Sequence, residues 1–384
     1  MECQKALFQL DPDVHYLNCA YQAPLLRAAE AACIEALVRA RNPFRIEAKD
    51  FFEETEIVRA LFGRLVNADP PNIALIPSTS YGLASVLNNI AGKSKGKAII
   101  LKDEFPSAYF SLERWCREKE NQLLIVGPES NSGRIGKQWN QRILEQIDDR
   151  TSVVLLSSAH WMNGLRFDLK AIGQRCREVG AKFLVDGTQS VGVLPIDVQD
   201  LHIDALICAT YKWLLGPYSI GLACFSDEFE HGIPLEETWM NRTNSLNFSD
   251  LANYDPQYKP KAGRYNVGET SHLLLMPILR LALEQIEAWG PGNIQQYCRS
   301  LVSPLIGYLE GLGVVFEDPS CFSHHLFSLS LPPQIDRERL RNELIENRIY
   351  TSLRGEHLRV SVHAFNDRGD LEKLREVIET LMRG

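Results

Sequence analysis

Between residues 73 and 225 one pattern recurs: a short, almost wholly apolar run followed by a longer polar or amphipathic stretch. The runs are IALI (73–76), AIILK (98–102), LLIVG (123–127), SVVLLSS (152–158), KFLVD (182–186), DALICAT (204–210) and GLACF (221–225). A strand buried on both faces loses the polar alternation of a half-exposed one and reads like this. Alternation with helix-length segments implies right-handed βαβ units and a largely parallel sheet covered on both sides. Sheets of this kind carry their sites at the carboxyl ends of the strands.

The flanks read differently. Residues 14–19, VHYLNC, predict a short strand running into a loop, and 25–40, rich in Ala and Leu, predict a helix. In 50–67, Phe51, Ile57, Val58, Leu61, Phe62 and Leu65 recur at helical spacing, with Asp50 as the expected N-cap and Glu53 completing a capping box. A helix is expected over 271–289. LFSLSL (326–331) and HLRVSV (357–362) alternate like half-exposed strands, and 335–349 and 370–382 read as amphipathic helices. The expected organisation is α/β: a large domain, 20–265, built on a mostly parallel seven-stranded sheet, and a smaller α+β domain from 1–19 and 266–384. A chain of 384 residues has length enough for both.

Composition removes several classes of function. The net charge is −8 with the acids dispersed, so the basic face that nucleic acid requires is not expected. No run of eighteen apolar residues predicts a membrane span, and the N-terminal stretch does not read as a signal peptide. The nine cysteines are scattered without a CxxC pair, which suits a reducing cytoplasm better than a disulfide framework or a zinc site. Gly92-Lys93-Ser94 mimics the end of a P-loop, but Leu87 stands where that motif needs glycine.

The stretch 182–221 carries the chemistry. One apolar run ends in Asp186, followed by Gly187, Thr188 and Gln189; a second leads into Tyr211, Lys212 and Trp213. In a parallel sheet those carboxyl ends share an edge. A lysine there can form an imine with a tethered aldehyde and later move a substrate proton. A buried aspartate facing a pyridine nitrogen keeps it protonated, so that the ring withdraws electrons. The plainer alternative is that Asp186 starts a turn and Lys212 is solvated. PSTSYGLA (77–84) sits between a strand and a helix, where hydroxyl residues and free N–H groups bind an anion; Thr79 and Ser80 are the candidates, ordinary N-capping the alternative.

The constellation resembles the class V aminotransferase family, pyridoxal-phosphate (PLP) enzymes of fold type I that include cysteine desulfurases, kynureninases and isopenicillin-epimerase-like enzymes. The matching stretches are YLNCAYQAPL (16–25), STSYGLASVLN (78–88), DEFPSAYF (103–110), HWMNGLRFDLKAIG (160–173), FLVDGTQSVGVLPIDV (183–198), DALICATYKWLLGPYSIG (204–221), RYNVGETS (264–271) and LRVSVHAFN (358–366). The resemblance implies PLP as cofactor, held as a Schiff base on Lys212, with Asp186 at its ring nitrogen and Gln189 at its phenolic oxygen. It implies phosphate contacts from Thr79, Ser80 and Tyr211, ring stacking by Phe105, and a place for Asn163 in the cofactor pocket. Arg359 matches the arginine that grips a substrate carboxylate, and Asn18, with Cys19 and Ala20, forms a wall of the substrate pocket. Thr270, or Glu269 beside it, is expected to reach the neighbouring cofactor across a homodimer.

Two departures stand out. Ser219 replaces a glycine of the family's turn after the lysine. Residues 350–359, YTSLRGEHLR, lack the cysteine that desulfurases carry there, which argues against that reaction because a thiolate must attack the substrate sulfur. The expected activity is transamination of an amino acid or related amine; a lyase or hydrolase cleaving C–S or Cβ–Cγ bonds, or an epimerase, is the alternative. No GxGxxG follows an early strand, so a nicotinamide dehydrogenase is not expected.

Overall fold

The computed structural model describes residues 1–130, 133–330, 335–355 and 357–383. In chain order its main elements are β1 (His15–Tyr16), α1 (Arg27–Ala40), α2 (Glu53–Val66), β2 (Ile73–Ile76), α3 (Thr79–Asn88), β3 (Lys97–Leu101), α4 (Pro106–Glu118), β4 (Gln122–Val126), α5 (Gly136–Gln146), β5 (Thr151–Ser157), α6 (Leu169–Val179), β6 (Lys182–Asp186), β7 (Ala205–Ala209) and β8 (Gly221–Phe225). There follow α7 (Met276–Trp289), α8 (Pro291–Gly311), β9 (Leu326–Ser330), α9 (Arg337–Glu346), β10 (Ile349–Tyr350), β11 (Ser352–Arg354), β12 (His357–Ser361) and α10 (Arg368–Arg383).

The seven apolar runs form one seven-stranded sheet, ordered β2-β8-β7-β6-β5-β3-β4. Only β8 runs against its neighbours, β2 and β7. Alternate side chains enter two separate cores, one on each face. On β6, Phe183 and Val185 face one core and Leu184 the other; on β7, Leu206 and Cys208 face the first, Ala205 and Ile207 the second. The double burial explains why these strands read as unbroken apolar runs. The strand β4 departs from that reading: it lies at the sheet edge, Leu123 and Leu124 are half-buried and Ile125 is exposed.

The second part of the chain builds a three-stranded antiparallel sheet, β11-β12-β9, and β1 pairs in parallel with β10. The strand expected over 326–331 forms over Leu326–Ser330; residue 331 lies outside the described residues. The helix expected over 271–289 starts at Met276, with Pro277 in its first turn, and packs against α1 and α2. The capping box near residue 50 exists one turn early: Glu47 is the N-cap of a 3-10 turn and Asp50 its third residue. The Asp50 carboxylate accepts from the Glu47 N–H at 2.7 Å and pairs with Arg39, so it is occupied before α2 begins.

Candidate active site

The structure puts the predicted acid and amine on neighbouring strands. Strands β6 and β7 pair in parallel, with Asp186 opposite Ile207. Asp186 therefore ends its strand beside the segment that delivers Lys212. Gly187 allows the close approach: a Cβ there would meet Cys208 Sγ at 2.7 Å and Val191 Cγ2 at 2.7 Å. Thr188 ties the two strand ends together. Its N–H donates to Asp186 Oδ1 at 2.9 Å, and its Oγ1 accepts from the Ala209 N–H at 3.1 Å.

After β7 the chain turns sharply. Leu215 N–H donates to the Lys212 carbonyl at 3.1 Å, Gly216 N–H to Thr210 at 2.9 Å, and Leu215 sits at φ +52°. A non-glycine residue in the left-handed region is held there by its surroundings, and here it shapes the turn behind the lysine. Ser219 also adopts a positive φ, +68°, a conformation that favours glycine.

Lys212 is only 8% exposed and Asp186 7%. Burial drives the Lys212 amine down to about 8, with Asp186 pulling it back up and Arg359 and Arg354 lowering it further. Burial likewise pushes the Asp186 carboxyl above its ordinary range, opposed by the Thr188 hydrogen bonds and by Lys212. The two groups thus act on each other across the sheet edge, and the solvated-lysine alternative does not hold. The Lys212 Nζ lies 5.9 Å from the Phe105 ring centroid and 5.6 Å from that of Tyr211. Phe105 is 37% exposed and meets Trp161 edge-on at 5.5 Å, so its ring is not packed in a core. Tyr211 leans on Tyr218 at 4.6 Å.

Gln189 is buried; Trp213 Nε1 donates to its Oε1 at 2.8 Å, and its Nε2 donates to Ala20 at 3.3 Å. The N-terminal segment is sewn to the small sheet: Ser352 Oγ donates to Asn18 Oδ1 at 2.8 Å and Ala20 N–H to Ser361 Oγ at 2.9 Å. Arg359 joins the cluster from β12. It is 2% exposed, its Nη1 donates to the Trp161 carbonyl at 2.8 Å, and its Nε and Nη2 have no partner among the described residues. Burial lowers this guanidinium to about 10, and the Arg354 charge lowers it further.

Thr79 and Ser80 open α3, but Ser78 is the N-cap, its Oγ accepting from the Tyr81 N–H at 3.2 Å. The capping role being taken, Thr79 and Ser80 present first-turn N–H groups and hydroxyls. Since β2 runs parallel to β7, this helix start shares the sheet edge with Asp186 and Lys212. Gly82 lets α3 lie close on β7, for a Cβ there would meet Ile207 Cγ2 at 2.9 Å.

Two expected residues are not brought to the cluster. Asn163 closes a tight turn, its Oδ1 accepting from the Leu165 N–H at 3.0 Å beside Gly164 at φ +73°, and it lines a different cavity of about 480 Å³ with Lys102, Met162 and Glu317. Trp161, two residues earlier, instead meets Phe105 edge-on and Arg359 through its carbonyl. Thr270 is buried against Thr55, whose Oγ1 donates to its carbonyl at 3.4 Å, and against Met240.

Sequence reading also missed Glu104. This carboxyl is 6% exposed; Oε1 accepts from the Phe105 N–H and Oε2 from the Ser157 N–H, both at 2.8 Å. Burial raises it to about 7, and the nearby Asp186 charge adds to the rise. It fixes the loop that carries Phe105 to the end of β5. The signal was available: like Asp186, Glu104 follows closely on the carboxyl end of an apolar strand.

A buried amine and a buried carboxyl at adjacent carboxyl ends of a mostly parallel seven-stranded sheet are the arrangement of the fold type I pyridoxal-phosphate enzymes. The chain belongs to the aminotransferase class-V family, whose model matches residues 36–374. It is similar to an uncharacterized aminotransferase, YcbU of Bacillus subtilis, at 24% identity over 69% of this chain and 68% of the relative. It is 23% identical to the isopenicillin N epimerase of Streptomyces clavuligerus over 97% of this chain and 96% of that one. A cysteine desulfurase structure from Thermococcus onnurineus superposes with a TM-score of 0.80 at 18% identity, covering 100% of this chain and 99% of that one, and shares the fold.

Proposed function

We propose that this chain is an aminotransferase-type enzyme for an amino acid or related amine, with pyridoxal phosphate carried on Lys212. The observation that carries the reading is the buried Lys212–Asp186 pair beside a buried Arg359 that has no acidic partner among the described residues. The residues fit the cofactor: an amine of lowered basicity, an acid coupled to it, a partly exposed aromatic ring at Phe105 and a helix start at the same sheet edge.

When bound, the cofactor supplies an electron sink for the bond broken at the substrate's α-carbon. Lys212 would hold the cofactor's aldehyde carbon and would take and return the substrate α-proton at its Nζ, a task its depressed basicity suits. Asp186 would keep a proton on the cofactor's ring nitrogen. Gln189 Nε2 has one hydrogen on Ala20 and a second to give the ring's phenolic oxygen. Thr79, Ser80 and Tyr211 take the phosphate, with the α3 N–H groups adding their dipole. Arg359 orients the substrate carboxylate by its fork, and Asn18 closes the wall opposite.

Thr270, engaged with Thr55 and Met240, is assigned to the cofactor of a second subunit in a homodimer. The division into 20–265 and 1–19 with 266–384 goes with this reading, the first unit holding Lys212 and the second Arg359. The nine unpaired cysteines suit a reducing cytoplasm. Residues 350–359 hold no cysteine, so the proposal does not include desulfuration.

The test is spectroscopic. The purified protein should absorb in the near-visible and lose that band in Lys212→Ala. Incubation with a panel of amino acids, without keto acid, should convert the bound cofactor to its pyridoxamine form. Release of alanine, pyruvate or sulfide with the band retained would overturn transamination in favour of a lyase.

A further inference from the structure

The small sheet brings a second arginine to the site, and its surroundings define a substrate class. In the β11–β12 hairpin Ser352 lies opposite Arg359 and Arg354 opposite His357. Opposed and alternate residues of an antiparallel pair share a face, so Arg354 and Arg359 stand on one face as diagonal neighbours, their backbones about 7–8 Å apart. Trp161 joins them. Its carbonyl accepts from Arg359 Nη1, and its ring lies 5.7 Å from the Arg354 guanidinium.

Among the described residues neither arginine has an acidic partner. Arg354 Nη1 donates to its neighbour's carbonyl, Leu353, at 3.1 Å, while its buried Nε has no partner. Arg359 leaves Nε and Nη2 unpartnered. Two like charges held together in a partly desolvated site oppose each other unless anions arrive. Trp161, which both arginines touch, meets the Phe105 ring at 5.5 Å, and that ring lies 5.9 Å from Lys212 Nζ, so the arginines stand on the Trp161 side of the amine. One substrate carboxylate satisfies Arg359. A neutral side chain would then leave Arg354 in the site without a counter-charge among the described residues.

We propose that Arg354 is a second anion subsite beside Arg359, so that the substrate is an amino acid with an acidic side chain. The inference rests on the transaminase reading of the site and narrows its substrate. Arg359 holds the α-carboxylate, and Arg354, half-buried at the hairpin end, takes the distal one. The diagonal spacing suits carboxylates separated by a short carbon chain, and guanidinium planes suit bidentate pairing with each.

The test is calorimetric binding to the cofactor-loaded protein, with glutarate and butyrate as dicarboxylate and monocarboxylate probes. Glutarate should bind at least tenfold more tightly than butyrate. Arg354→Gln should erase that preference while weakening butyrate far less, Arg354→Lys should keep part of it, and Arg359→Gln should weaken both probes. Equal affinity of the unaltered protein for the two acids, undetectable glutarate binding at millimolar concentration, or equal losses in Arg354→Gln would overturn the proposal. The near-visible band reports separately: without it the PLP reading fails, whereas a band with no dicarboxylate preference sinks the Arg354 subsite alone.

Discussion

Two regions meet at the site, and they handle charge in opposite ways. At the ends of β6 and β7, an acid and an amine are buried together, each offsetting part of the other's desolvation. On the face of the small sheet, Arg354 and Arg359 face the same space and, among the described residues, have no acidic partner. The first region balances much of its charge internally and is suited to hold a permanent group. The second stores uncompensated positive charge and is suited to anions that come and go. A buried charge without a partner is costly, so its presence marks a place where binding, rather than folding, completes the structure.

Breaking the large-sheet pair should have the largest effect. Lys212→Ala should abolish the near-visible band and reduce turnover at least about a thousandfold, measured as kcat with the best amino acid from the panel. Arg359→Gln should leave the band in place and lower kcat/KM by about a hundredfold, the scale of removing one partner of a buried charge-assisted pair. If instead the two variants gave the same spectrum and the same kinetic loss, the separation between holding the cofactor and holding the substrate would be wrong.

Stability sharpens the same contrast. The Lys212 amine falls from its ordinary 10.5 to about 8 because burial disfavours its charge. Below pH 8 it is protonated in both folded and unfolded chains, and the folded state bears the full cost. Between 8 and 10.5 the unfolded chain binds more protons, so stability rises with pH; above 10.5 the cost is gone. Lys212→Met in the cofactor-free protein should therefore stabilise it at pH 7 by up to about 3 kcal/mol, with the difference vanishing towards pH 10.5 in denaturant titrations. A pH-independent difference would mean that packing, not charge burial, governs the site.

The smallest effect concerns the turn beyond the lysine. Ser219 is exposed at φ +68°. Glycine relieves left-handed strain but adds freedom to the unfolded chain. Ser219→Gly should change stability by less than about 1 kcal/mol and leave the absorption band unmoved. A loss of the band would show that the serine does more than tolerate the conformation.

Most of the large sheet was legible because double burial strips strands of polar residues, and β2, β3, β5, β6, β7 and β8 kept that signature. The edge strand β4 carried the same apolar letters without the burial, since composition does not report which strand lies outermost. Asp186 and Lys212 were legible because the carboxyl-end rule needs only strand direction. Glu104 obeys the same rule just after β3, whereas Trp161 was not legible, because its place depends on β3 and β5 being neighbours, an order set by tertiary packing. The second arginine became meaningful only through hairpin register, which no local pattern fixes.

The central assertion is a covalent one and can be read directly. The purified protein, reduced with borohydride and digested, should yield a single pyridoxyl-labelled peptide containing TYKWLLGPY, with the added mass on Lys212. A label on any other lysine, or no label in a protein saturated with pyridoxal phosphate, would contradict the account.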